Sequence, residues 1–105
     1  MDLKIENIVP VFGYVVAKRL ELEKKESKIL DLSTDDSENI AEVINIGLGN
    51  PTPNGSYIPM QVRPTSIIIY EKGSEKPFKL DGVEYLFIDQ KGILGTFEEG
   101  GKRHG

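Results

Sequence analysis

Phe78-Lys79-Leu80-Asp81-Gly82-Val83-Glu84-Tyr85-Leu86-Phe87-Ile88 places two runs of strand-forming residues on either side of Asp81-Gly82. An Asp-Gly pair joins antiparallel strands through a two-residue type I′ turn, because both positions tolerate the positive φ that matches strand twist. The stretch therefore predicts a β-hairpin. Working outward, the same pattern of β-branched and aromatic runs bounded by Gly, Pro, Asn and Asp recurs along the chain. Tyr14-Val15-Val16-Ala17-Lys18-Arg19-Leu20 predicts a first strand, and Ala41-Glu42-Val43-Ile44-Asn45-Ile46 a second, stopped by Gly47 and Gly49. Ser66-Ile67-Ile68-Ile69-Tyr70 is a continuous apolar run ending at Lys72-Gly73, which predicts a strand buried on both faces. Ile93-Leu94-Gly95-Thr96-Phe97 closes the series. No stretch has helical periodicity bounded by caps. The fold class expected is all-β, a small barrel or sandwich.

The 105 residues leave room for one domain only. A hydrophobic share of 38% predicts a thin core that leans on assembly. Seventeen acidic against thirteen Lys and Arg residues give a net charge of -4, which offers no broad basic surface for nucleic acid or anionic lipid. With no cysteine there is neither a disulfide framework nor a thiolate metal site. The charged opening Met1-Asp2-Leu3-Lys4-Ile5-Glu6 lacks the apolar run of a signal peptide, and no stretch has the length of a membrane span. A cytoplasmic location is expected.

Two segments exceed what a minimal barrel needs. Residues 23–40 are polar and highly charged, with one apolar island at Ile29-Leu30 and Leu32. A connection of that length is functional or disordered more often than idle. Two readings stand. It is a solvated loop whose island touches its own barrel, or a disordered arm that folds as its island docks on a partner. Residues 47–59 contain Pro51, Pro53, Asn54-Gly55 and Pro59, and predict a turn excursion with irregular flanks.

Catalytic chemistry has little to stand on. His104 is the single histidine and lies in the Gly-rich stretch Gly100-Gly101-Lys102-Arg103-His104-Gly105, read as a flexible tail. Asp35-Asp36 sits in the polar loop, where solvated charges are the simpler reading than a paired acid and base. Gly47-Leu48-Gly49 lacks the further Gly and the helix of a dinucleotide loop. No Ser or Thr has an adjacent base to activate it. Neither an enzyme nor a bound cofactor or metal is expected.

The order and spacing of these elements resemble the GroES family of co-chaperonins from about Ile8 to Glu99. Lys79-Leu80-Asp81-Gly82-Val83-Glu84-Tyr85-Leu86 with Ile93-Leu94 is similar to the family's closing hairpin and final strand. Pro10-Val11 and Val15-Val16-Ala17-Lys18-Arg19 resemble its opening run, and Ala41-Glu42-Val43 with Gly47 and Gly49 its second strand and glycine turn. The departures are local: Lys28 stands at an aliphatic position, Ser27 at a glycine, Gly13-Tyr14 at Asp-Arg, and Pro64-Thr65-Ser66 at Val-Gly-Asp. The tip Asn50-Pro51-Thr52-Pro53-Asn54 lacks the family's charged residues. The chain resembles a divergent member.

The resemblance implies a single GroES-like β-barrel domain over residues 1–99, with a mobile loop at 23–40, a roof hairpin at 47–59 and a flexible tail at 100–105. It implies a non-catalytic co-chaperonin that forms a heptameric ring through pairing of terminal strands. The ring caps an ATP-bound GroEL-type chaperonin and encloses an unfolded substrate protein, with no nucleic acid or membrane partner. Lys28, Ile29 and Leu30, with Leu32 beside them, fall on the family's chaperonin-binding patch, and Asn50, Pro51, Asn54 and Gly55 on its roof hairpin. The alternative is a small β-barrel nucleic-acid-binding module, which needs a basic face with exposed aromatics and is opposed by the acidic balance. A third reading, the barrel part of a zinc-dependent dehydrogenase, lacks both metal ligands and a nucleotide domain.

Overall fold

A computed structural model describes residues 3–20 and 39–97. Among the described residues eight strands form: β1 (Tyr14–Arg19), β2 (Ile40–Ile46), β3 (Asn50–Pro51), β4 (Tyr57–Ile58), β5 (Ile67–Tyr70), β6 (Glu75–Leu80), β7 (Val83–Asp89) and β8 (Ile93–Phe97). Helical structure among the described residues is confined to two 3-10 turns, Ile5–Asn7 and Gln90–Gly92. Six strands make one antiparallel sheet in the order β6-β7-β1-β2-β5-β8, and β3 pairs with β4 alone. The all-β expectation holds.

The hairpin that anchors the reading forms as expected. Leu80 pairs with Val83, and the two residues between them have φ of 55° at Asp81 and 78° at Gly82, the signature of a type I′ turn. Register then decides which side chains meet. Val15 pairs with Ile88 on one side and Ile46 on the other, and Ala17 with Leu86 and Val43. Val15, Ala17, Val43, Leu86 and Ile88 form one buried cluster with Ala41, Val62, Ile68 and Tyr70, and the partly buried Ile46 packs against it. Because strands β7 and β5, three places apart in the sheet, contribute to the same cluster, the sheet is curled into a barrel-like shell around it.

The β5 run departs from expectation in one respect. Ile68 and Tyr70 are fully buried while Ile67 and Ile69 are only half-buried, so the strand is sealed on its inner face alone. Its other face is the outside of the shell, where small antiparallel sheets keep partial contact with solvent. Val16 shows the opposite behaviour. It points outward between Phe87 and Asn45, yet is fully buried. The Asn45 side-chain amide donates to the Ile8 carbonyl at 3.0 Å, which draws the N-terminal segment across that face.

Two irregularities shape the sheet. Ile44 is an extra residue on β2 between the Val16–Asn45 and Ala17–Val43 pairs, and Leu94 is an extra residue on β8 between Ile69–Gly95 and Tyr70–Ile93. A bulge sharpens local twist and re-aims the extra side chain. At Leu94 that side chain goes to solvent.

Candidate functional site

Three features lie outside the core: the neck of the long segment, the β3–β4 hairpin and the free edge of β8. Lys28, Ile29, Leu30 and Leu32, together with nearly all of the expected mobile loop at 23–40, lie outside the described residues, as does the expected tail. Asn39 and Ile40 are described, the latter already in β2.

At the neck, the Leu20 amide donates to the Ile40 carbonyl at 2.9 Å, and the Tyr70 amide donates to the Asn39 carbonyl at 3.0 Å. The Tyr70 hydroxyl accepts from Arg19 Nε at 3.4 Å. Strand alternation from Val15 and Ala17 turns Arg19 inward, so its guanidinium closes one end of the shell. There it also lies 3.2 Å from Glu84 and 3.7 Å from Glu75. The hydrogen bond that Arg19 donates to Tyr70 raises the Arg19 pKa above its ordinary value, partial burial opposes the shift, and the charges of Glu84 and Glu75 reinforce it. The guanidinium is a fixed cation at every pH that concerns the protein.

Asn50 and Pro51 form β3, opposite Ile58 and Tyr57, while Asn54 and Gly55 lie at the turn. Asn54 Oδ1 accepts from Thr52 Oγ1 at 2.6 Å and from Ser56 Oγ at 2.8 Å, and Gly55 supplies the positive φ of 95°. The turn is thus ordered by uncharged groups. Its base is tied down at Gly49, whose amide donates to the Phe12 carbonyl and whose φ of 115° sets the backbone against the Ile58 carbonyl, leaving no space for a Cβ. The structure therefore brings together the four residues expected in the hairpin.

The sheet has two edges of unlike character. β6 carries Lys76, Pro77 and Lys79, which resist addition of another strand. β8 reads Ile93-Leu94-Gly95-Thr96-Phe97, with neither charge nor proline, and pairs with no described strand beyond β5. Leu94 and Phe97 are 67% and 54% exposed. Between β8 and the hairpin runs a groove of about 840 Å³, lined by Asn50, Pro51 and Ile58 on one wall and Ile93, Leu94 and Thr96 on the other. A second apolar set, Leu3, Val9, Val11 and Phe12, stands exposed on the N-terminal segment.

The family model described as "Chaperonin 10 Kd subunit" matches residues 7–97, nearly all of the described structure. The chain belongs to the chaperonin 10 family. It is 33% identical over 95 residues to Co-chaperonin GroES 2 of Vibrio cholerae, covering 88% of this chain and 99% of that protein. It is 37% identical over 93 residues to Co-chaperonin GroES of Clostridium botulinum, covering 87% and 98%. Co-chaperonin GroES of Neisseria meningitidis is 34% identical over 94 residues, covering 88% and 98%. Membership in this family gives the chain a co-chaperone role and not a catalytic one.

Two features of this chaperonin 10 fold were not singled out from sequence. In the sequence Arg19 is simply part of the first strand and of the opening run, and only its inward parity shows its place in a network with Tyr70 and Glu84. The unprotected character of β8 was present in its composition, but that it lies at an edge follows from strand order alone.

Proposed function

We propose that this chain is a ring-forming co-chaperonin that caps the ATP-bound chamber of a GroEL-type chaperonin and encloses a folding substrate, with seven subunits by family resemblance. The observation that carries the ring is the contrast between the lysine- and proline-bearing β6 edge and the bare, apolar β8 edge. Of the two edges of the six-stranded sheet among the described residues, β8 is the one that invites another strand. The apolar row from Leu3 to Phe12 supplies a complementary surface on the next subunit, so neighbours join head to tail, the arrangement from which a closed ring is built.

In this reading the expected loop at 23–40, shortened by Ile40 where β2 begins, is the docking arm, with Lys28, Ile29, Leu30 and Leu32 at its contact point. Ordering each arm offsets much of what its short apolar patch gains, so one copy binds weakly. A ring presents several tethered arms at high effective concentration, and together they hold the partner while each remains releasable. The hairpin carrying Asn50, Pro51, Asn54 and Gly55 forms the roof. Its uncharged tip lets copies converge without mutual repulsion.

ATP-dependent co-sedimentation with a chaperonin ring, run alongside native mass measurement, tests both halves. A ring of identical subunits that sediments only with ATP is expected. A monomer that never sediments overturns the proposal.

A further inference from the structure

Tyr70 touches both ends of one chain segment. Its backbone amide holds Asn39, where the chain returns from residues 21–38, and its hydroxyl holds Arg19, just before the chain leaves. The ring of Tyr70 is fully buried, so this double attachment is made from an immobile base. Arg19 extends the attachment to the β6–β7 hairpin through Glu75 and Glu84, and the Leu20–Ile40 hydrogen bond closes the last rung. The segment therefore leaves and re-enters the shell through a neck fastened on three strands.

We infer that Arg19 and Tyr70 are positioning residues for chaperonin docking, setting its strength from the neck without touching the chaperonin. The inference rests on the reading that the segment is the docking arm. A fastened neck keeps the tether short and its exit direction fixed. Unfastening it adds residues to the tether, enlarges the set of conformations lost on docking and lowers the effective concentration of every arm after the first. The change per arm is small, but it repeats around the ring. A loss of roughly 1.3-fold per arm becomes about sixfold over seven arms.

Tyr70→Phe removes the hydroxyl and keeps the buried ring; Arg19→Met removes the charge and the donor and serves as the second variant if either folds poorly. Each is assayed by native mass, by amide exchange at Leu20 and Ile68, and by ATP-dependent chaperonin affinity. Intact rings, faster exchange at Leu20, unchanged exchange at Ile68 and a three- to tenfold weaker affinity are expected. Because the chain has no cysteine, Leu20→Cys with Ile40→Cys can relock the neck cleanly when oxidised. Oxidation should restore the affinity of the Tyr70→Phe ring, which repair of a merely structural defect in the core would not achieve. Unchanged affinity, loss of affinity only in step with loss of the ring, or failure of the cross-link to restore it each overturns the inference. The Ile29→Ser/Leu30→Ser variant separates the two levels: if it binds normally the docking-arm reading itself has failed, whereas if it does not bind while Tyr70→Phe binds normally, the neck inference alone has.

Discussion

Arg19 and Glu84, 65 positions apart, meet at 3.2 Å across the end of the shell. The first ends β1 and the second follows the Asp81-Gly82 turn, so the contact joins the opening strand to the closing hairpin. It is a surface-grade pair, with side chains 34% and 43% exposed.

The pair should accordingly contribute little by itself. A double-mutant cycle of Arg19→Met and Glu84→Gln, read from urea unfolding, should give a coupling energy below about 1 kcal/mol. Arg19→Met alone should cost more than Glu84→Gln, since it also removes the 3.4 Å hydrogen bond to the Tyr70 hydroxyl. Equal costs would mean that the Tyr70 contact adds nothing.

The hairpin turn makes a sharper demand on backbone. Gly82 has φ of 78°, and an added Cβ meets nothing within 4 Å, so strain is the only penalty. Gly82→Ala should lower unfolding free energy by about 1–2 kcal/mol with no change in the denaturant slope. A neutral result would mean that the turn relaxes into another type.

Edge chemistry makes the next prediction. Leu94→Lys places a charge on the unprotected strand without disturbing the core, because Leu94 already points to solvent. Native mass should fall from ring to subunit at concentrations where the parent assembles, whereas Lys79→Val on β6 should leave it unchanged. The parent's unfolding midpoint should rise with protein concentration, and that of Leu94→Lys should not. A Leu94→Lys protein that still forms rings would remove β8 from the interface.

Docking should fail without loss of assembly when the apolar island is removed. Burying Ile29 and Leu30 on a partner is worth about 1.5–3 kcal/mol each before ordering costs, and Lys28 adds only its methylene stem. Ile29→Ser/Leu30→Ser should therefore give intact rings with ATP-dependent chaperonin binding below detection. Undiminished affinity would place the contact elsewhere.

Local signals made much of the fold legible. Alternation and the Asp81-Gly82 pair located strands to within about a residue at β1, β2, β5 and β7, because turn chemistry and hydrophobic period are properties of short stretches. Sheet order is not local. That Val16 lies between Phe87 and Asn45 depends on contacts spanning most of the chain, and the same absence of long-range information made Ile67 and Ile69 read as core. Within the candidate site, Asn54-Gly55 was visible as a turn because its geometry demands those residues. Arg19 was not, since a cation at a strand end is ordinarily solvated and only the parity of β1 turns it inward.

The lysines and proline of β6 have a further consequence in the proposed ring. With one receptive edge per subunit, every incomplete assembly has two unlike ends, and every copy joins in the same head-to-tail sense. A subunit damaged only at β8 would still present its N-terminal surface to a neighbour. It would occupy one end of a growing arc and offer nothing at the other, so a minority of such subunits in a mixture would stop arcs short of closure and poison the rest.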